Sequence, residues 1–478
     1  MIRAALAALA LAAGTAAEAA QPPYVKRAPD IPISGRDRFY TSDQFSNTVS
    51  VIDPSTNRLL GAIRLGDPTP GNLSPLYRGQ LLVHGMGFSP DRKTLAVVSI
   101  GSNSVTFIDT ATNAVKQTTY VGRSPHEAFF TPDGREVWVS VRGQDYIAVL
   151  DGRTFREIDR IKVPNGPGMT IFSPDGRYCY VCSSFSPETV VVSTRSKKIV
   201  GRVSQDSPFC PDIAATPDGE QVWFTLKDVG RVMVFNARPP FNVLRSIETG
   251  PITNHVNIVA NANGQFAYVT VGTQDLVKVY RTDDFSQVAS IPVGAMPHGL
   301  WPSGDGTRIY VGIENGDEVA AIDTASNTVI ATIPIGQGPQ GVAYIPGAVP
   351  TGDGMANLVP LGVAANKVQL ILTGTGRSQV TLFDQGQIQM LQAAVAGLKP
   401  GMPYVLALSE RPDGGGAIQP LSEFKTNPAG SAIVNSTGPI RKIVAASAPA
   451  ARRYLIIAPG TAQSPGPPVQ VQITSSSR

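Results

Sequence analysis

Three of the four histidines, His84, His126 and His298, stand six residues before the centre of a recurring turn, at Pro90, Pro132 and Gly304 respectively. His255 stands seven residues before its counterpart, Ala262. The same slot holds Gly168, Pro211 beside Cys210, and Gln340 in the other copies. Neutral imidazoles are nitrogen donors suited to copper, zinc or iron, and several converging from separate segments supply three or four ligands. The metal set read from the sequence is therefore His84, His126, His298 and His255, with Cys210 as a further ligand and copper or zinc as the ion. Two other uses stay open: binding of an organic ligand, and a polar ring hydrogen-bonded to water.

The remaining candidates surround this slot. Arg142 and Gln340 are expected to bind a ligand from the same side, together with Tyr77 and Arg78. The last two fall in the segment from Gly66 to Val83, which is longer than any comparable connection and suited to overhang a site. Cys179 and Cys182 are three apart on an expected strand, so they face opposite sides and should not bond to each other. Cys182 ends that strand where Cys210 opens another, so a disulfide between them is the alternative use of Cys210. Cys179 would then be a buried free thiol. No phosphate-binding loop, G-x-S-x-G, H-E-x-x-H or C-x-x-C-H motif occurs. A general-base reaction of the lactonase kind is open to Asp, Arg and His here, without a residue set that specifies it.

A repeat must position these residues. Ser89-Pro90-Asp91 returns as Thr131-Pro132-Asp133-Gly134, Ser173-Pro174-Asp175-Gly176 and Thr216-Pro217-Asp218-Gly219. Weaker copies lie at residues 261–264, 303–306 and 345–347, and the spacing stays between 42 and 45 residues. Each copy leads into alternating β-rich runs such as Glu136–Ser140 and Val319–Asp323. With a short apolar strand before the turn, each period makes four strands, which is one propeller blade. The pattern opens at Arg38–Ser42 without an innermost strand and closes at Gln340–Tyr344 with only that strand. Joined, the two fragments complete a seventh blade. The slot then falls at the start of the innermost strands, at one mouth of the central channel. Register expects His84, His126 and His298 to converge there with His255 across the ring.

Tyr268–Val271 and the stretch from Arg308 to Ala343 resemble the YVTN-type β-propeller repeats of exported bacterial and archaeal proteins, over residues 37–346. The resemblance implies the fold and leaves the function open, because that group includes enzymes, redox proteins and binding modules. After Pro346 the repeat stops. Residues 347–357 read as a linker, and 358–475 as a β-sandwich-like domain with strands such as Val368–Leu372 and Tyr404–Leu408. The segment Gly397–Leu408 resembles the extracytoplasmic domain of anti-sigma-K-type factors. The fold class expected is all-β, a seven-bladed propeller followed by this smaller domain.

Arg3, the apolar run Ala4–Ala13 and Ala17-Glu18-Ala19 read as a signal peptide over residues 1–19. That implies a periplasmic or secreted protein without a transmembrane segment in the mature chain. A net charge of +4 over 478 residues gives no reason to expect a nucleic-acid partner. The partner expected is a small ligand or a protein. Two functions follow: a non-enzymatic binding or scaffold role at the channel mouth, and a copper- or zinc-dependent redox or hydrolytic enzyme built on the histidines.

Overall fold

The computed structural model describes residues 32–66, 81–361, 367–385, 388–437, 441–444 and 452–473. The expected export segment, Tyr77 and Arg78 lie outside the described residues. Seven four-stranded sheets and one larger sheet make up the described chain, and the fold is all-β as expected, apart from single helical turns. The innermost strands of blades two to seven are Val83–Phe88, Pro125–Phe130, Pro167–Phe172, Ile213–Ala215, Thr253–Asn261 and Pro297–Pro302. Blade one takes its innermost strand, Pro339–Ile345, from the far end of the repeat, with Tyr40 opposite Ala343.

The repeated turns fold for local reasons. In each Ser/Thr-Pro-Asp turn the hydroxyl donates to the Asp carboxylate and accepts the N–H five residues on, as Thr131 does with Asp133 and Glu136 at 2.6 and 3.1 Å. Gly134 closes that turn at φ 70°, a left-handed conformation that glycine adopts without strain. The blades adhere through aromatic wedges. Tyr40, Trp138, Tyr180, Trp223 and Tyr310 occupy the third position of the second strand, and Tyr268 the equivalent place in the longer Gly264–Val271 strand of blade six, all fully buried. Burying each such ring contributes roughly 1.5–3 kcal/mol. Their polar tips still find partners, often on the next blade: Tyr180 donates to the carbonyl of Ala237, and Tyr268 to Asn327.

After Ile345 the chain leaves on the turn side of the propeller and crosses to the opposite mouth. Residues 347–359 are held along this path. Asn113 donates to the carbonyls of Gly354 and Ala356, and Val359 bridges to Ala62 on the outer strand of blade one. The C-terminal module that follows is one strongly curled sheet, whose edge strands Ile418–Lys425 and Ala432–Thr437 meet where Ser436 donates to the Leu421 carbonyl. Leu382, Leu391, Leu406, Leu455 and Ile457 fill its interior. No helix among the described residues is long and apolar enough to cross a membrane.

Candidate site at the channel mouth

A β-bulge recurs in the innermost strands where the histidines sit. In blade three Pro125 faces Val141 and Ala128 faces Val139, so His126 and Glu127 together oppose Ser140. The same two-against-one arrangement sets His84 and Gly85 against Val98, Asn254 and His255 against Thr270, and His298 and Gly299 against Gly312. A bulge re-aims consecutive side chains that a regular strand would send to opposite faces. Two rings of residues therefore face the channel. The outer ring carries Gln340, His84, His126, Gly168, Pro211, Asn254 and His298, and the inner ring carries Gly341, Gly85, Glu127, Met169, Asp212, His255 and Gly299.

This corrects the expected place of His255. It occupies the inner ring, beside rather than across from the others, with its ring centroid 4.4 Å from that of His298. The hairpin of blade six runs on to an Asn261–Gly264 pair, so counting back from the turn misplaces the bulge. The other three converge as expected. His84 lies 4.3 Å from His126 and 6.4 Å from His298, centroid to centroid, and all four imidazoles are buried.

Hydroxyls fix four of the bulges, those opposite Ser42, Ser140, Thr225 and Thr270, whereas Val98, opposite His84 and Gly85, has none. Ser140 accepts the Glu127 N–H and donates to the Gly168 carbonyl of the next blade. Thr225 likewise accepts from Asp212 and donates to Asn254, and Thr270 accepts from His255 and donates to His298. Ser42 does the same between Gly341 and His84. Gly312 has no hydroxyl to offer. There the His298 imidazole reaches the Gln340 carbonyl through Nδ1, at 3.3 Å.

Glu127 and Asp212, which sequence reasoning missed, complete the site. One ligand atom each of His84, His126 and Glu127 falls within 4.8 Å of the others. The Glu127 carboxylate accepts the Met86 N–H at 3.0 Å, and Gly85 leaves room for it, since a Cβ there would stand 2.3 Å from its oxygen. Asp212 lies 3.4 Å from His255 Nδ1 and accepts the Val256 N–H. The Nδ1 atoms of His84 and His126 and Nε2 of His255 have no hydrogen-bond partner.

Burial is the main cause of the unusual acidities. It holds His84 and His255 near 3 and His126 and His298 well below the usual imidazole range, with positive neighbours, including Arg142 and Lys227, adding to the effect. Burial also raises Glu127 well above the usual carboxylate range and Asp212 to about 8. Beneath the imidazoles lies a cavity with about 30 Å³ open to the centres of water molecules, bordered by Glu127, Asp212, His255, Met86 and Trp301.

Cys210 is bonded to Cys182, so its expected role as a metal ligand is corrected: the sulfur has no thiolate to offer. Cys179 is the buried free thiol. Arg142 sits at the rim of the mouth with its guanidinium over Phe209 and Phe185. Gln340 contributes its backbone carbonyl to His298 and lies in the outer ring.

The C-terminal module covers one side of this mouth. Lys367 pairs with Asp317 at 2.9 Å, Arg377 with Asp275 at 3.2 Å, and Asn427 donates to Asp228 at 3.2 Å. Ala394 and Ile433 pack on Ile252 and Met296 between these polar contacts. The contacts fall on blades five to seven.

A family model described as a lactonase, 7-bladed beta-propeller, matches residues 101–330, from blade two to the outer strand of blade seven. Among curated proteins none matches the chain. Among solved structures, a functionally unknown protein from Desulfotomaculum acetoxidans DSM 771 is 14% identical with a TM-score of 0.54, covering 64% of this chain and 98% of that one. The hydrazine synthase of Kuenenia stuttgartiensis is 21% identical with a TM-score of 0.49, covering 58% of this chain and 90% of that one. At 14% identity the likeness to the Desulfotomaculum acetoxidans protein is one of fold.

Proposed function

We propose that this chain is an exported binding protein whose propeller channel holds one transition-metal ion, zinc or copper, at the mouth partly covered by the C-terminal module. The observation that carries the reading is the approach of one ligand atom each of His84, His126 and Glu127 to within 4.8 Å of one another, with neither imidazole Nδ1 hydrogen-bonded and that of His126 4.0 Å from the Glu127 carboxylate. Buried polar atoms normally find partners, and a cluster of orphaned nitrogen lone pairs beside a carboxylate is what a cation would satisfy. The four imidazoles stay neutral at pH 7 and so need lose no proton to bind. Glu127 resists ionisation only while no positive charge stands next to it. His255 and His298 are steadied at Nδ1 by Asp212 and the Gln340 carbonyl, as outer partners steady ligating imidazoles. The Cys182–Cys210 disulfide fits the oxidising compartment that the N-terminal segment implies.

Hydrolysis, which the matched family's name suggests, has one observation in its favour: the Asp212–His255 pair on the cavity wall. An imidazole held near 3 is a weak base at neutral pH. The cavity lining offers no hydroxyl or thiol nucleophile, and its 30 Å³ accommodates about two waters, whereas organic ligands occupy pockets of several hundred Å³. Binding is therefore the stronger reading.

Elemental analysis of protein purified from an oxidising compartment tests it. One zinc or copper per chain is expected, lost in a His84→Ala/His126→Ala variant that retains its β-rich circular dichroism. Equal, substoichiometric metal in both would refute it.

A further inference from the structure

Two cations on the rim of the same mouth make no direct ion pair among the described residues, although Glu314 and Asp228 lie near Lys227. Arg142 directly follows the second strand of blade three, Glu136–Val141, and Lys227 that of blade five, Gln221–Leu226. Both lie against a single ring: Phe209 has the Arg142 guanidinium at 5.1 Å and the Lys227 ammonium at 5.8 Å from its centroid. Phe185 stands on the other side of Arg142 at 5.6 Å and is half exposed. Nε of Arg142 is buried without a hydrogen-bond partner. Elsewhere on the same face the cations are matched, as Lys367 is by Asp317 and Arg377 by Asp275.

An unpaired guanidinium in a poorly solvated place is costly, because desolvation is not offset by a counter-charge. Two like charges on one aromatic ring add mutual repulsion. Cation–π contact with Phe209 returns only part of this, about 0.5–2 kcal/mol per cation. Nearby Glu314 and Asp228 temper Lys227, but burial alone governs Arg142, and it lowers both. The C-terminal module docks on blades five to seven, so the approach to Arg142 and Phe185 from blades three and four carries none of its ion pairs.

We infer that Arg142 and Lys227 form a site for a small oxyanion, a carboxylate or a phosphate, bound at the rim above His84 and His126. The guanidinium fork suits either geometry, since it presents parallel N–H donors to two oxygens at once. Lys227 supplies a second positive charge beside the same Phe209 ring, close enough to Arg142 to feel its charge. The inference deepens the metal reading, because an anion held there stands where an exogenous ligand of the ion would enter. It rests on that reading for this second contact alone.

The test is isothermal titration of the full chain with inorganic phosphate and, separately, with acetate. Each titration is run after zinc loading and after dialysis against a chelator, with zinc content measured in parallel. At least one of the two anions should bind the wild type at one per chain, and which one distinguishes phosphate from carboxylate. Arg142→Gln and Lys227→Gln should each weaken binding about tenfold or more while zinc content is unchanged. Absence of binding by both anions in zinc-loaded wild type overturns the inference and leaves the metal reading intact. So does an Arg142→Gln variant with wild-type affinity. Anion binding that is lost in Arg142→Gln in a protein that takes up neither zinc nor, in a parallel loading, copper supports the inference and ends the metal reading. Should Arg142→Gln fail to fold, Arg142→Lys replaces it: a loss of affinity despite the retained charge is expected, and wild-type affinity overturns the site.

Discussion

Replacing Thr270 by Val tests whether hydroxyls hold the histidine-bearing bulges. Thr270 is fully buried, accepts the His255 N–H at 2.8 Å and donates to the His298 carbonyl at 2.8 Å. Valine keeps the shape and the β-branch but can make neither bond, so a donor and an acceptor are stranded in the interior. Each stranded group costs about 1–3 kcal/mol. The carbonyl keeps a second lone pair for other contacts, so a total of about 3 kcal/mol is expected. Thr270→Ser makes the opposite change: it keeps the hydroxyl and loses a methyl, costing about 1 kcal/mol.

Hydrophobicity alone ranks valine above serine at a buried strand position, whereas the relay ranks serine above valine. Guanidinium unfolding of chelator-treated protein, comparing midpoints at equal slope, separates the two. The serine variant should have the higher midpoint. Because His255 and His298 ride on the two groups concerned, the valine variant should also bind zinc more weakly than the serine one. A valine midpoint equal to or above that of serine would show that the relay is incidental to the fold.

Three further outcomes are expected. Cys210→Ser should lower stability by about 3–4 kcal/mol, from the chain entropy of the loop it closes across a sequence separation of 28, and thiol titration of unfolded wild type should find one free thiol. Asp43 is pushed up to about 7 by burial, against about 3.9 in an unfolded chain, so the folded state holds a proton that the unfolded chain loses between those values. Stability of metal-free protein should therefore fall as pH rises from 4 to 7, by at most about 4 kcal/mol from this group, and Asp43→Asn should flatten that slope. A slope unchanged in the variant would reassign the effect. Finally, Lys367→Ala with Arg377→Ala should speed zinc loss to a chelator several-fold, since both side chains fasten the C-terminal module beside the mouth; unchanged release would mean that the module does not guard it.

The blades were legible because their turns are chemically forced. A Ser or Thr two residues before Asp, with Gly next, satisfies its own backbone within one short loop, so the motif survives as local sequence. The aromatic at the third position of the second strand repeats for a similar reason. His84, His126 and His298 could be placed because their distance from the turn is constant. His255 could not, since the longer hairpin of blade six moves the turn and leaves the bulge where it is. Glu127 and Asp212 went unread because alternation would have sent them away from the channel beside His126 and Pro211. Only the bulge, a backbone feature set by pairing with the second strand, turns both neighbours inward. Docking of the C-terminal module on the mouth was hidden too, because its contacts are loop-tip residues such as Asp228, Asp275 and Asp317, and loop tips are polar whether or not anything covers them.

The position of the disulfide follows from the same relay. Ser42, Ser140, Thr225 and Thr270 each stand opposite their blade's bulge, one residue before the end of the second strand, and each ties its own bulge to the next blade. In blade four that place is Cys182, and its partner Cys210 stands at the entry to the innermost strand of blade five. Where neighbouring blades are joined by a hydroxyl, these two are joined by a covalent bond. The innermost strand of blade five is only three residues long, Ile213–Ala215, so the covalent bond anchors the blade with the shortest innermost strand. A cysteine committed to that tie is unavailable as a ligand. A metal ion bound at this mouth would then draw on the imidazoles of blades two, three, six and seven and the carboxylates of blades three and five, and the imidazole nitrogens without a hydrogen-bond partner belong to blades two, three and six.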